Sequence, residues 1–150
     1  MSRTARLHTV QRVSVLRRVE FFNRAPGHVL ASVADAADEM TFAPGEIIIS
    51  VGELGDSLYI VVEGAIAVTV SDGYSKELGP GAVVGELAVL VPEPRSAVVH
   101  SVGESLLLRL RKPVVDELLL DHPDVAMGVI ATLVRRFQGG GHAAPPVART

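Results

Sequence analysis

Cysteine is absent from the 150 residues, which excludes a disulfide framework, a thiolate zinc site, an iron–sulfur cluster and a cysteine nucleophile. A cytoplasmic setting is the simplest expectation. Long apolar runs are missing too: the longest uncharged, apolar-rich stretch in the C-terminal third, Val125 to Val134, has ten residues, against about 20 for a bilayer crossing. No membrane span is expected, and no apolar segment follows the first arginines to make a signal peptide. The histidines, His8, His28, His100, His122 and His142, never stand two or four apart, the spacings that present two imidazoles to one metal. Catalytic motifs are equally scarce. There is no G-x-x-x-x-G-K-[ST] loop, and Gly103-Glu104-Ser105 lacks the second glycine of a nucleophile elbow. In Gly79-Pro80-Gly81 followed by Gly85, the last glycine falls one place late for a dinucleotide loop, and no βαβ unit follows. Neither an enzyme nor a cofactor is expected.

What is present reads as one folded domain, since 48% of residues are apolar and 21% charged, a balance that argues against disorder. At this length a domain buries roughly 68–70% of its unfolded surface. The net charge of −3 hides an asymmetry: residues 1–24 carry six arginines against Glu20, a net +5. Such a leader also suits a transit peptide or a nucleic-acid arm. Val10, Val13, Leu16 and Val19, at three-residue steps, instead predict an amphipathic helix with arginines on its wet face. The expected organisation is a basic helical extension over 1–24, a domain over 25–138 and a flexible tail over 139–150.

Helical spacing resumes in Val29, Leu30, Val33, Ala34 and Ala37 and runs through Asp38. Beyond Phe42 the texture changes, with turn residues at Pro44-Gly45, Gly52, Gly55-Asp56, Glu63-Gly64, Ser71-Asp72-Gly73 and Pro80-Gly81. Between and after them lie six runs rich in Val, Ile or Leu: Glu46–Ser50, Ser57–Glu63, Ala65–Val70, Ser75–Leu78, Ser96–Ser101 and Ser105–Leu110. These predict the short strands of a sandwich or barrel. Pro113 then opens a helix ending near His122, and Pro123 another with an apolar stripe of Val125, Val129, Ile130, Leu133, Val134 and Phe137. Gly139-Gly140-Gly141 is expected to stop it.

The segment from Gly85 to Ala97 has the physics of an anion pocket. Glu86–Leu90 can form a helical turn whose first amides lack intrahelical partners. Gly85 permits close approach to the backbone. Arg95, held by Pro94, presents a rigid fork for phosphate oxygens, and Glu86 can accept hydrogen bonds from hydroxyls. Taken alone, Glu86 and Arg95 also fit a salt bridge that closes a loop.

Context favours the pocket, because the chain from Phe22 to Phe137 resembles the cyclic nucleotide-binding domains of bacterial transcription activators, kinase regulatory subunits and cyclic-nucleotide-gated channels. The resemblance lies in Phe42-x-Pro44-Gly45-Glu46-x-Ile48, then Gly52-x-x-Gly55-Asp56-x-Leu58-Tyr59-Ile60-Val61-x-x-Gly64, then Leu78-Gly79-Pro80-Gly81, and in Gly85-Glu86-Leu87-Ala88 with Pro94-Arg95-Ser96-Ala97. It implies a mainly β fold, an eight-stranded β-roll with helices at both ends. By the same resemblance Glu86 holds a ribose 2′-hydroxyl, Arg95 the cyclic phosphate, the amides of Leu87 and Ala88 its oxygens, and Ser96 adds a hydroxyl contact. Val84 departs from the family pattern, where an aromatic often stands, and so does Val51, where a polar or acidic residue often stands. For the base, Arg135, Arg136 and Phe137 remain alternatives. The paired histidines of the cupin barrel enzymes are missing.

The expected function is that of a cyclic nucleotide sensor, with cAMP the first ligand and cGMP the alternative. The signal would pass through the C-terminal helix to a protein effector or a homo-oligomer. Only thirteen residues follow Phe137, so no helix-turn-helix and no direct DNA binding are expected. The rival expectation is a ligand-free β-roll kept as an interaction or oligomerisation module.

Overall fold

A computed structural model describes residues 7–91 and 94–140 of the chain, with the side chains of residues 87, 88, 136, 137, 139 and 140 left out of the description. The expected tail lies outside it from residue 141 onward. Two helices open the described chain, α1 (Thr9–Arg17) and α2 (Gly27–Ala36), with a 3-10 turn at Glu20–Phe22 between them. Eight strands follow: β1 (Asp38–Phe42), β2 (Ile47–Ile49), β3 (Ser57–Glu63), β4 (Ile66–Val70), β5 (Ser75–Leu78), β6 (Val83–Val84), β7 (Ala97–Ser101) and β8 (Ser105–Arg111). A short helix α3 (Glu86–Leu90) interrupts them, and α4 (Lys112–Asp121) and α5 (Pro123–Gly140) close the described chain.

The strands form two antiparallel four-stranded sheets, ordered β1-β8-β3-β6 and β2-β7-β4-β5. The period of two sorts β3 between two cores. Val61 and Tyr59 face the roll interior with Phe42, Ile49, Ile66, Val68, Val84, Val99 and Leu107. Leu58 and Ile60 point the other way, with Leu108 and Leu110 of β8, into a helical core containing Leu16, Phe22, Leu30, Val115, Leu118 and Val125. The β3–β8 pair is thus apolar on both faces, as expected for a sheet covered on both sides. Gly64, between β3 and β4, has φ +89°, and a Cβ there would stand 2.5 Å from the Glu104 carbonyl oxygen. That turn therefore requires glycine.

The expected eight-stranded roll with flanking helices is the observed fold. The six runs named from the sequence correspond to β2, β3, β4, β5, β7 and β8. The other two strands differ from the residue pattern. Asp38 starts β1 instead of ending a helix, because α2 stops at Ala36 and Asp38 pairs with Arg109 across the sheet. The two-residue β6 pairs with Tyr59 and Ile60. The face of α1 differs as well. Val10 is exposed while Val15 and Leu16 are buried. Arg12 is withdrawn from water, its Nη1 donating at 2.8 Å to both the Ala34 and Ala37 carbonyls. At the end of α2 the Ala34 carbonyl takes only a long bond from the Ala37 N–H, 3.3 Å, and the Ala37 carbonyl lies past the helix, so the guanidinium supplies donors there. In α5, Val125 and Val129 are buried, whereas Ile130 and Val134 of the expected stripe are exposed. The helix continues into the glycine run as far as Gly140. Among the described residues no helix is long and apolar enough to cross a membrane.

Candidate functional site

The site residues expected from the sequence lie along the crossing from β6 to β7. Val84 is buried in the roll and paired with Tyr59, which fixes where the chain leaves β6. Gly85 follows at φ +87°, a left-handed conformation that disfavours any side chain. Glu86, the first residue of α3, is 2% exposed and Arg95 only 4%. Leu87 and Ala88 continue the backbone of α3, and Ser96 is exposed.

Arg95 is held from several directions. Its backbone N–H donates to the Glu53 carbonyl at 2.8 Å, and its own carbonyl accepts from Gly52 N at 2.9 Å. A bridge between Leu54 and Pro94 completes a short antiparallel clamp. The side chain runs inward, and Nη2 donates to the Ser57 carbonyl at 2.8 Å. Gly85 lies directly beneath: a Cβ there would stand 2.8 Å from Arg95 Nη1 and 2.7 Å from the Ser57 carbonyl oxygen. The missing side chain is the space the guanidinium occupies. Glycine at this position thus serves both the backbone turn and the arginine.

Burial pulls the Arg95 guanidinium below its ordinary pKa, and Tyr59, Glu53, Asp56 and Glu86 act the other way. Such a cation pays for its desolvation and gains most from an anion brought against it. Burial likewise raises the Tyr59 phenol, opposed by Arg109 and Arg95. Glu86 and Arg95 therefore share one buried electrostatic environment. A carboxylate that accepts from hydroxyls, beside a fork that donates to phosphate oxygens, can recognise the two halves of a sugar phosphate.

Sequence reasoning treated Gly55-Asp56 as turn and Ser57–Glu63 as strand, and so missed that the start of β3 seats the arginine. The Ser57 carbonyl could not be found from residue identity, because a backbone acceptor belongs to no residue type. The acidic Glu53 and Asp56, thirty-nine or more positions before Arg95 in the chain, were a visible signal. Of the three candidates for covering a base, Arg135 is described: Nη2 pairs with Glu20 Oε2 at 2.7 Å, both side chains about half exposed. The side chains of Arg136 and Phe137 lie outside the described residues.

The fold is a helix-flanked β-roll in which the crossing from β6 to β7 buries a glutamate and an arginine. The chain belongs to the cyclic nucleotide-binding domain family, whose model matches residues 39–122. It is 36% identical over 102 residues to the cAMP-dependent protein kinase regulatory subunit of Dictyostelium discoideum, a match covering 63% of this chain and 29% of that protein. The chain thus spans under a third of that relative's length. The crystal structure of the N-terminal domain of a transcriptional regulator from Streptomyces coelicolor A3(2) superposes with a TM-score of 0.71 at 31% identity, covering 87% of this chain and 97% of that one. The regulatory domain of Toxoplasma gondii PKA, co-crystallised with cAMP, gives 0.70 at 28% identity over 83% of this chain and 50% of that one.

Proposed function

We propose that this chain is a receptor module for a 3′,5′-cyclic nucleotide, with cAMP the ligand and cGMP the competing choice, and that it regulates rather than catalyses. Glu86 takes the ribose 2′-hydroxyl, Arg95 the cyclic phosphate, the amides of Leu87 and Ala88 its oxygens, and the Ser96 hydroxyl a further oxygen, with Gly85 leaving room for the guanidinium. The observation that carries this reading is the seat of Arg95, 4% exposed and stacked over a glycine that no other residue could replace without displacing it. A buried fork whose backbone is clamped on both sides and whose space is kept by a glycine is set up to receive an anion. The similarity to a domain crystallised with cAMP supports the choice of ligand. Occupancy is expected to reach α5, and through it a protein effector or a second copy of the chain.

A melting experiment tests this. A ligand that binds only the native state adds RT ln(1 + [L]/Kd), about 2.7 kcal/mol at a hundredfold excess over Kd. For a domain of this size that raises Tm by roughly 5–11 °C. A rise with cAMP larger than with cGMP supports the reading. No rise with any cyclic nucleotide at millimolar concentration leaves the roll a ligand-free interaction module.

A further inference from the structure

Lys112 opens α4, outside the residues assigned to the ligand, and its side chain reaches the cassette. Its Nζ donates to the Val89 carbonyl at 3.1 Å and the Leu90 carbonyl at 3.5 Å, the last two residues of α3. It also pairs with Asp116 Oδ1 at 3.2 Å, one turn further along α4. Its backbone N–H donates to the Asp56 carbonyl at 2.7 Å, one residue before the Ser57 carbonyl that takes Arg95. One residue therefore joins the end of the cassette helix, the residue leading into the strand that seats the arginine, and the first turn of α4.

The chemistry explains why a lysine suits the place. A helix as short as α3 leaves its terminal carbonyls without internal donors, and an ammonium satisfies more than one of them at once. Pro113 fixes the backbone just after Lys112 and starts α4 without needing its own N–H. Asp116, at the i,i+4 position, holds the ammonium on its α4 side. Displacing α3 along its axis would stretch the bonds to Val89 and Leu90 or draw Lys112 after them.

We propose that Lys112 is a positioning residue for the nucleotide site, fixing where α3 presents Gly85 and Glu86 and making the start of α4 respond when the cassette is filled. The proposal rests on the reading of the cassette as the nucleotide site. Because coupling is reciprocal, a tether that carries occupancy to α4 must also contribute to affinity.

The full chain is titrated with cAMP by calorimetry, and amide exchange is followed with and without cAMP, for wild type, Lys112→Met, Lys112→Arg and Asp116→Asn. In the wild type, cAMP slows exchange in residues 112–121. Lys112→Met keeps most of the stem and loses the donor, so it is expected to bind cAMP about fivefold more weakly and to lose that slowing. Lys112→Arg recovers most of both, and Asp116→Asn shows a partial loss in the same direction. Wild-type affinity in Lys112→Met, or slowing in 112–121 that survives the substitution, overturns the tether. If Lys112→Met fails to fold, an absence of slowing in 112–121 of the wild type, or no rescue in Lys112→Arg, overturns it equally. A wild type that binds cAMP without that slowing refutes the tether alone, whereas one that binds no cyclic nucleotide refutes the cassette reading and the tether together.

Discussion

Arg12 and Arg95 are both largely withdrawn from water, and their surroundings differ in kind. Arg12 lies in the helical layer, its Nη1 shared between the Ala34 and Ala37 carbonyls and its Nη2 3.3 Å from Glu39 Oε1. Its donors answer acceptors that the end of α2 creates, so the residue closes a joint between α1, α2 and β1. Arg95 lies in the roll, its backbone clamped by Gly52 and Glu53 and its side chain set over a glycine at φ +87°. Burial of an arginine alone does not make a site. Nor does a buried carboxylate beside it, which Arg12 also has in Glu39; what distinguishes the second is a backbone shaped around the guanidinium, with a glycine whose missing side chain leaves it room.

If that contrast is right, substitutions at the two places separate stability from binding. The largest effect on stability belongs to Arg12→Met, which leaves Glu39, 7% exposed in its side chain, without this partner and should cost about 3 kcal/mol. At roughly 2–4 °C per kcal/mol, Tm should fall by about 6–12 °C. Cyclic nucleotide affinity, measured below the new Tm, should stay within about twofold of wild type, and a large loss of affinity would erase the contrast. Arg95→Ala should do the reverse, weakening cAMP binding by about 2–5 kcal/mol, at least thirtyfold, while the protein remains folded. Arg95→Lys should recover only part of this, since a point charge does not reproduce the fork. Binding titrations on the three variants decide the matter.

Gly85→Ala sharpens the comparison from the backbone side. It should lower stability by about 2 kcal/mol, from the left-handed conformation and the contact with Arg95 together. Gly73→Ala is the control, because φ is +92° there and nothing lies within 4 Å of an added Cβ. It should cost about 1 kcal/mol in denaturant titration and leave cAMP binding intact. Equal effects of the two on binding would show that Arg95 does not need the space. The smallest effect is expected from Glu86→Gln, which keeps an acceptor and loses charge assistance, for about 1 kcal/mol in cAMP affinity. A 2′-deoxy analogue should bind the wild type weakly and lose little more in the variant. Equal losses for the two ligands would remove Glu86 from the ribose.

Much of the roll was legible in the sequence because its strands are short runs rich in Val, Ile and Leu and glycine-containing turns separate them. Ser57–Glu63 and Ser75–Leu78 are strands with the bounds the pattern gave. β1 was hidden because Asp38 and Glu39 look like the polar end of a helix, and it takes Arg109, seventy-one positions on, to make Asp38 a strand residue. β6 was hidden because two residues show no period. The wet face assigned to the arginines of α1 holds for Arg17 and Arg18, which are exposed, and departs at Arg12 for a related reason: the end of α2 supplies acceptors that periodicity cannot see, and they draw Arg12 inward. At the candidate site, residue types pointed to Gly85, Glu86 and Arg95, which the fold brings into one buried place. The Ser57 carbonyl, the tight fit over Gly85 and the reach of Lys112 arise from chain closure and were not in the pattern.

The central claim is that Arg95 is a ligand-binding arginine and not a structural one. Calorimetric titration of cAMP into the wild type and Arg95→Ala, both shown to be folded by circular dichroism, tests it most directly. Saturable one-to-one binding by the wild type, weakened at least about thirtyfold in the variant, is the predicted result. Saturable binding of equal strength in both proteins, or none in the wild type, would contradict it.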